Sequence, residues 1–280
     1  MSPFGERLAA SLAARGPLCV GIDPHEHLLV QWGLDVTADG ARELGLRVVE
    51  AAAGRVGVVK PQVAFFERFG SAGVAALEEV LAAARSAGLI VIADAKRGDI
   101  GSTMDAYARA WLTPGSPLEA DALTVSPYLG VGALTDTFAL AVGNGKGVFV
   151  LAATSNPEGG GVQRAEAVGE GTVAGRVVDD VSAWNEVETG GARLASIGFV
   201  IGATVDLDAY GLPHSLVPPA PILAPGFGAQ GAAPADLPAL FGELAPLVVA
   251  NESRSVLSAG PEGIADRIAR RAALYGGMDA

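Results

Sequence analysis

Apolar residues fall along this chain in short runs, and the segments between them follow a different rhythm. Eight runs carry a strand signature: 18–23 (LCVGID), 56–61 (VGVVKP), 89–96 (LIVIADAK), 122–127 (ALTVSP), 147–155 (GVFVLAATS), 196–204 (SIGFVIGAT), 221–226 (PILAPG) and 246–253 (PLVVANES). None alternates cleanly between apolar and polar residues. Strands covered on both faces read this way, as in parallel sheets. Ala-rich helical stretches separate most of them, near 37–53, 71–87 and 102–112, and Ala is the best helix former. Regular strand–helix alternation predicts βαβ units. Eight such units predict a closed (β/α)8 TIM barrel of the α/β class. A doubly wound open sheet is the architectural alternative.

The chain has 280 residues, which suits one barrel, and no linker or compositional break demands a second domain. A single domain over 1–280 is therefore expected. The opening MSPFGERLAASLAARG patterns as a short amphipathic helix rather than a signal peptide. The Gly-rich stretch PEGGGVQRAEAVGEGT at 157–172 reads equally well as a mobile loop above the active face or as a surface insertion.

Charge and cysteine usage narrow the function classes. A net charge of −12 argues against nucleic-acid binding, which needs a basic face. It leaves room for a small anionic substrate, because screening confines a charged cleft's influence to roughly 8–10 Å. No run reaches the roughly 18 apolar residues of a membrane helix, so no membrane association is expected. The single cysteine, Cys19, rules out an internal disulfide framework and suits a reducing cytoplasm. Its apolar run makes it a core thiol rather than a nucleophile.

Barrel enzymes place their chemistry at the C-terminal ends of the strands. The first run ends in Asp23 and the second in Lys60. The third ends in Asp94 and Lys96, with Asp99 just beyond, and the fifth in Thr154-Ser155-Asn156. The seventh ends in Pro225-Gly226, and the eighth in Asn251-Glu252-Ser253-Arg254. Any one of these is an ordinary strand-end polar group. Their recurrence at one end of successive strands points to one site.

Asp94 and Lys96 are two apart, so on a regular strand they share a face. Flanking carboxylates favour the ammonium form of a lysine, and an ammonium is a proton donor. After the seventh strand, PGFGAQG supplies glycines that let backbone approach an oxyanion. Gln230 there can donate to a phosphate oxygen, and Arg254 can grip a phosphate with two N–H groups. A phosphate site after strands seven and eight recurs in such barrels.

With these residues in view, the chain resembles the orotidine 5′-phosphate decarboxylases. The pattern is Asp94-Ala-Lys96-Arg-Gly-Asp99-Ile100, joined by GIDP at Asp23, VVKPQ at Lys60, TSNP at Ser155, APGFGAQG and ESRSV. The wording is closest to a bacterial branch that includes mycobacterial enzymes. The resemblance implies a homodimeric barrel that converts orotidine 5′-phosphate to UMP and CO2 in the last step of de novo pyrimidine synthesis. It implies no metal, pyridoxal or flavin cofactor. Asp23 and Lys60 would hold the ribose hydroxyls and the charged network, and Asp94 would lie near the substrate carboxylate. Lys96 would protonate C6, and Asp99 would reach the partner's site. Ser155 would bind the pyrimidine, Gln230 and Arg254 the phosphate, with Pro225 lining the pocket. Many relatives carry Gly before the phosphate arginine; here it is Ser253.

Three rivals are distinguishable. A sugar-phosphate decarboxylase or aldolase on the same barrel would need Mg2+. A metal hydrolase would use His25-x-His27, with His214 the only other histidine. A non-catalytic phosphate-binding barrel would not need the Asp94, Lys96 and Asp99 set. Arg97 is expected to face solvent or to anchor its loop.

Overall fold

The computed structural model describes residues 2–169, 171–188, 193–229 and 231–275. Eight strands form one closed barrel: β1 Leu18–Ile22, β2 Val58–Pro61, β3 Ile90–Arg97, β4 Ala122–Val125, β5 Gly147–Ala153, β6 Ile197–Ile201, β7 Ile222–Pro225 and β8 Val248–Glu252. Each falls on a predicted run, and β3 extends one residue further. All neighbours are parallel, and β8 pairs with β1 through Cys19 and Asn251. That pairing closes the sheet and excludes the open alternative.

The helices around the strands include α1 Phe4–Arg15, α2 Ala38–Ala52, α3 Gly70–Ser86, α4 Gly101–Leu112, α5 Thr135–Gly143, α6 Val173–Glu188, α7 Leu237–Phe241 and α8 Gly260–Tyr275, with shorter helical turns between them. In α2 the buried side chains Ala41, Leu44, Val48 and Ala52 recur at helical spacing. The Thr37 hydroxyl caps its start by accepting from the Gly40 N–H at 3.2 Å, satisfying one orphan donor of the first turn. The sixth unit departs from the repeat, because residues 202–221 run from β6 to β7 through turns without a helix.

Alternate residues along each strand point to opposite faces, and the core divides accordingly. Val20, Val59, Val91, Leu123 and Val148 pack outward under the helices. Cys19, Val58, Ile92, Ala122, Phe149, Leu223 and Val249 fill the barrel interior. Phe4 and Leu8 of α1 join that interior group, and Phe4 meets Phe149 edge-on at 6.0 Å. Arg7 pairs with Asp121 at 2.8 Å and donates to the Gly145 carbonyl. The short N-terminal helix thus floors the barrel at the end opposite the strand C-termini. Burial pushes the Cys19 thiol up to about 12, so it stays protonated in the apolar layer.

Candidate active site

Two residues further along several inward rows, apolar side chains give way to polar ones. Cys19 leads through Gly21 to Asp23, Val58 to Lys60, Ile92 to Asp94, Ala122 to Thr124, and Val249 to Asn251. The strand period alone carries these groups to one mouth. They surround a cavity of about 580 Å³ lined by Asp23, Lys60, Asp94, Lys96, Ser155, Pro225 and Arg254, with His25, Gln62 and Asn251 among its other walls. Its charged lining holds three cations (Lys60, Lys96, Arg254) against two carboxylates (Asp23, Asp94). The cleft is locally cationic in a chain of net charge −12, as an anionic ligand requires.

Asp94 is the hub. Its Oδ2 accepts from Lys60 Nζ at 2.7 Å, and its Oδ1 accepts from Lys96 Nζ. The Thr124 hydroxyl donates to Oδ1 at 3.0 Å. Burial alone would push the Asp94 carboxyl up, but the ammonium groups of Lys60 and Lys96 hold it well below the usual carboxylate range. Burial alone would likewise push Lys60 down, and Asp94 with Asp23 instead raises it. Gln62 completes the Lys60 end, accepting from Nζ at 3.2 Å.

Asp94 and Lys96 share the cavity, but not through a regular pleat. The β3–β4 register slips between Ala93 and Arg97. Lys96 sits at φ 48°, the one non-glycine residue at positive φ among those described. A bulky side chain there costs roughly 1–2 kcal/mol. The Lys96 N–H, released from the ladder, donates instead to the Thr124 hydroxyl at 2.9 Å. Bulges commonly re-aim a side chain beside a functional site.

Asp23 Oδ1 is buried without a hydrogen-bond partner. Arg254 has no ion pair among the described residues and opens to solvent at the rim. Ser253, where many relatives were expected to carry Gly, lies against Gly21; a Cβ at Gly21 would meet its Oγ at 1.8 Å. Ser155 follows Thr154, whose N–H donates to Gln163 Oε1 at 2.9 Å. The Gly-rich stretch therefore turns back on the site through a 3-10 turn, Pro157–Gly159, and a short helix, Gly160–Gln163.

Asp99 does not line the cavity of its own chain; its Oδ1 accepts from the Ile100 N–H at 2.8 Å. Gln230 lies outside the described residues. Arg97 anchors its loop, pairing with Glu67 and lying 5.4 Å from the Tyr107 ring centroid. Among the described residues no three His, Cys, Asp or Glu side chains gather as a metal-ligand set. His25 faces the cavity with its ring 4.2 Å from Phe65, and burial lowers its pKa.

Sequence reasoning missed Thr124 and Gln62, and it weighed His25 only as a metal ligand. Thr124 sat inside an apolar run, and only the alternation of inward positions marks it. Glu252, grouped with the strand-end residues, follows the opposite parity from Asn251. It faces away from the cavity toward α8.

Residues 16–261 match the sequence profile of the orotidine 5′-phosphate decarboxylase / HUMPS family. This chain belongs to that family. A Salinispora arenicola protein named orotidine 5′-phosphate decarboxylase is 53% identical over 283 residues, covering 99% of this chain and 100% of its own. The Streptomyces coelicolor protein of that name is 53% identical over 270 residues, covering 96% and 95%. Among solved structures, the Leishmania donovani OMP decarboxylase superposes with a TM-score of 0.75 at 32% identity, covering 99% of each chain. For an orotidine 5′-phosphate decarboxylase / HUMPS family barrel, the mouth described here occupies the face where barrel enzymes carry their chemistry.

Proposed function

We propose that this chain decarboxylates orotidine 5′-phosphate to UMP and CO2, closing de novo pyrimidine synthesis. The observation that carries the mechanism is the Lys60–Asp94–Lys96 array at the cavity wall. The C6–carboxylate bond breaks, its electron pair stays on C6, and Lys96 Nζ delivers a proton there. Lys96 then recovers a proton from water. No cofactor accepts the electron pair, so fixed charge must favour the transition state over the ground state. Asp94 faces the departing carboxylate and fixes the ammonium of Lys96. The unpartnered Asp23 Oδ1 accepts a ribose hydroxyl with Lys60 nearby, Ser155 takes the pyrimidine edge, and Pro225 walls the ring. Arg254 and Gln230 take the phosphate.

The active species in this reading is a cytoplasmic homodimer in which Asp99 serves the neighbouring site. Exposed apolar side chains beside Asp99 support it: Ile100 is 61% exposed and Tyr128 84% exposed. Their loops adjoin, with the Ser126 N–H donating to the Arg97 carbonyl at 2.7 Å.

The test is the loss of orotidine 5′-phosphate ultraviolet absorbance with purified protein in EDTA. Turnover without added metal is expected, and Lys96→Ala should abolish it while leaving the circular dichroism spectrum intact. Activity that vanishes in EDTA and returns with Mg2+ would favour the metal-dependent rival. Normal turnover by Lys96→Ala would remove the assigned proton donor.

A further inference from the structure

Glu252 is a buried charge that the mechanism leaves unused. Glu252 is 0% exposed, yet it points out of the barrel, away from the cavity. Isolated buried carboxylates are strongly disfavoured, and such groups persist when paired and fully hydrogen-bonded. Glu252 meets that condition. Arg271 of α8 grips both oxygens, with Nε to Oε2 at 2.8 Å and Nη2 to Oε1 at 2.7 Å. Tyr275 donates to Oε1 at 2.8 Å, and Ser255 donates to Oε2 at 2.6 Å. Burial, and then the charge of Glu252, push the Tyr275 phenol up.

The network's position gives it a role. Glu252 and Ser255 bracket Ser253 and Arg254 in the chain. Arg267, one helical turn before Arg271, donates to the Ser255 carbonyl at 2.6 Å. The other loop at the same rim meets the same cluster. Phe227 packs edge-on against Tyr275 at 5.9 Å. Gly228, at φ 76°, lies so close that an added Cβ would come within 2.4 Å of Ser255 Oγ and 2.9 Å of Glu252 Oε2. Arg267, Arg271 and Tyr275 are spaced four apart, so one face of α8 reaches the undersides of both loops. Both carboxylate oxygens accept from this cluster, and a satisfied buried network fixes geometry.

We propose that Arg271 and Tyr275 are positioning residues for phosphate recognition. Acting through Glu252 and Ser255, they set the spacing between Arg254 and the 226–228 loop. The proposal rests on the reading that this rim takes the substrate phosphate. It ties a helix on the outside of the barrel to the recognition of one substrate group.

The test uses the full chain and two substrates, orotidine 5′-phosphate and orotidine, which lacks the phosphate. In Arg271→Leu the ratio of their kcat/KM values should fall about tenfold. Arg271→Lys, which keeps the charge and loses the fork, should be intermediate. Tyr275→Phe should lower the ratio by a smaller factor. Should Arg271→Leu fail to fold, Tyr275→Phe and Ser255→Ala each remove a single hydroxyl and carry the same readout. A purely structural network would lower both kcat/KM values in parallel, or lower the melting temperature with the ratio unmoved; either result overturns the proposal. Arg254→Ala separates the two levels. If it leaves the ratio intact, the phosphate reading itself fails and the inference falls with it. If it collapses the ratio while the Arg271 and Tyr275 variants do not, only the inference fails.

Discussion

The Thr124 hydroxyl is bonded at once to the two residues on which the proposed chemistry depends. It donates to Asp94 Oδ1 at 3.0 Å and accepts the Lys96 N–H at 2.9 Å. Because the N–H consumes an acceptor position, the hydroxyl proton is directed at the carboxylate. Backbone, hydroxyl, carboxylate and ammonium form a closed ring around a residue at positive φ. Thr124→Val keeps the shape and removes the ring's link. The expected result is a fall in kcat of about tenfold, the equivalent of one net hydrogen bond, with KM little changed. Thr124→Ser should restore most of it. A Thr124→Val enzyme with wild-type kcat would show that Lys96 is held by other means.

Lys60 and Lys96 both pair with Asp94, yet their removal should differ in kind. Lys60 is 3% exposed and Lys96 44%. Taking away the buried partner leaves a buried carboxylate half-compensated, which typically costs about 3–5 kcal/mol. Lys60→Met should therefore lower the urea midpoint clearly. Lys96→Ala should change stability by no more than about 1 kcal/mol, as for exposed pairs. Equal midpoint shifts for the two variants would contradict this division.

The same array sets a pH window for stability. The Asp94 carboxyl is held below its ordinary 3.8 in the folded chain. Its contribution is present above that value and is lost as pH falls through the folded value. The Lys60 ammonium is held above its ordinary 10.5, so its contribution is present below that value and is lost as pH rises through the folded one. Asp94→Asn should flatten both arms of a plot of unfolding free energy against pH. Arms that stay equally steep in the variant would assign the pH dependence to other groups.

Gly21 and Ser253 form a complementary pair. A methyl at position 21 has no room beside the Ser253 side chain, so Gly21→Ala must displace the segment that carries Arg254. It should raise KM for orotidine 5′-phosphate by about tenfold, on the scale of overpacking costs of 1–3 kcal/mol. Adding Ser253→Gly should recover much of the loss. Strict additivity of the two changes would mean that the residues do not sense each other.

The homodimer has its own test, because the proposed site draws on two chains. Lys96→Ala and Asp99→Ala protomers, each inactive alone, should regain activity when unfolded together and refolded. A random mixture of two-fold dimers would reach about a quarter of the wild-type level, since half the dimers are mixed and each holds one intact site. A mixture as inactive as its parents would place Asp99 in its own chain's chemistry rather than the partner's.

Much of the barrel was legible because short apolar runs and Ala-rich helical stretches follow one another regularly. Each strand starts in an apolar run, and the polar ends of several of those runs gathered at one mouth. What escaped depended on contacts distant in sequence or on backbone irregularity. Thr124 looked like any residue in ALTVSP until β4 was set beside the bulge in β3. The shared face of Asp94 and Lys96 was anticipated, but not the positive φ of Lys96, since no local pattern announces a register slip. Glu252 was grouped with Asn251 and Arg254 by adjacency, although strand parity turns it the other way. Its partner Arg271 lies a whole helix later. The segment between β6 and β7 carries helix breakers, Gly211, Pro213 and the Pro218-Pro219 pair, and it forms no helix.

The apolar floor laid by Phe4 and Leu8 beneath the barrel has a consequence for traffic. With the interior packed below the polar ring, the site is a cup rather than a tube. In the proposed reaction the nucleotide would enter and CO2 would leave across one and the same brim, the one that carries Arg254 and Ser155.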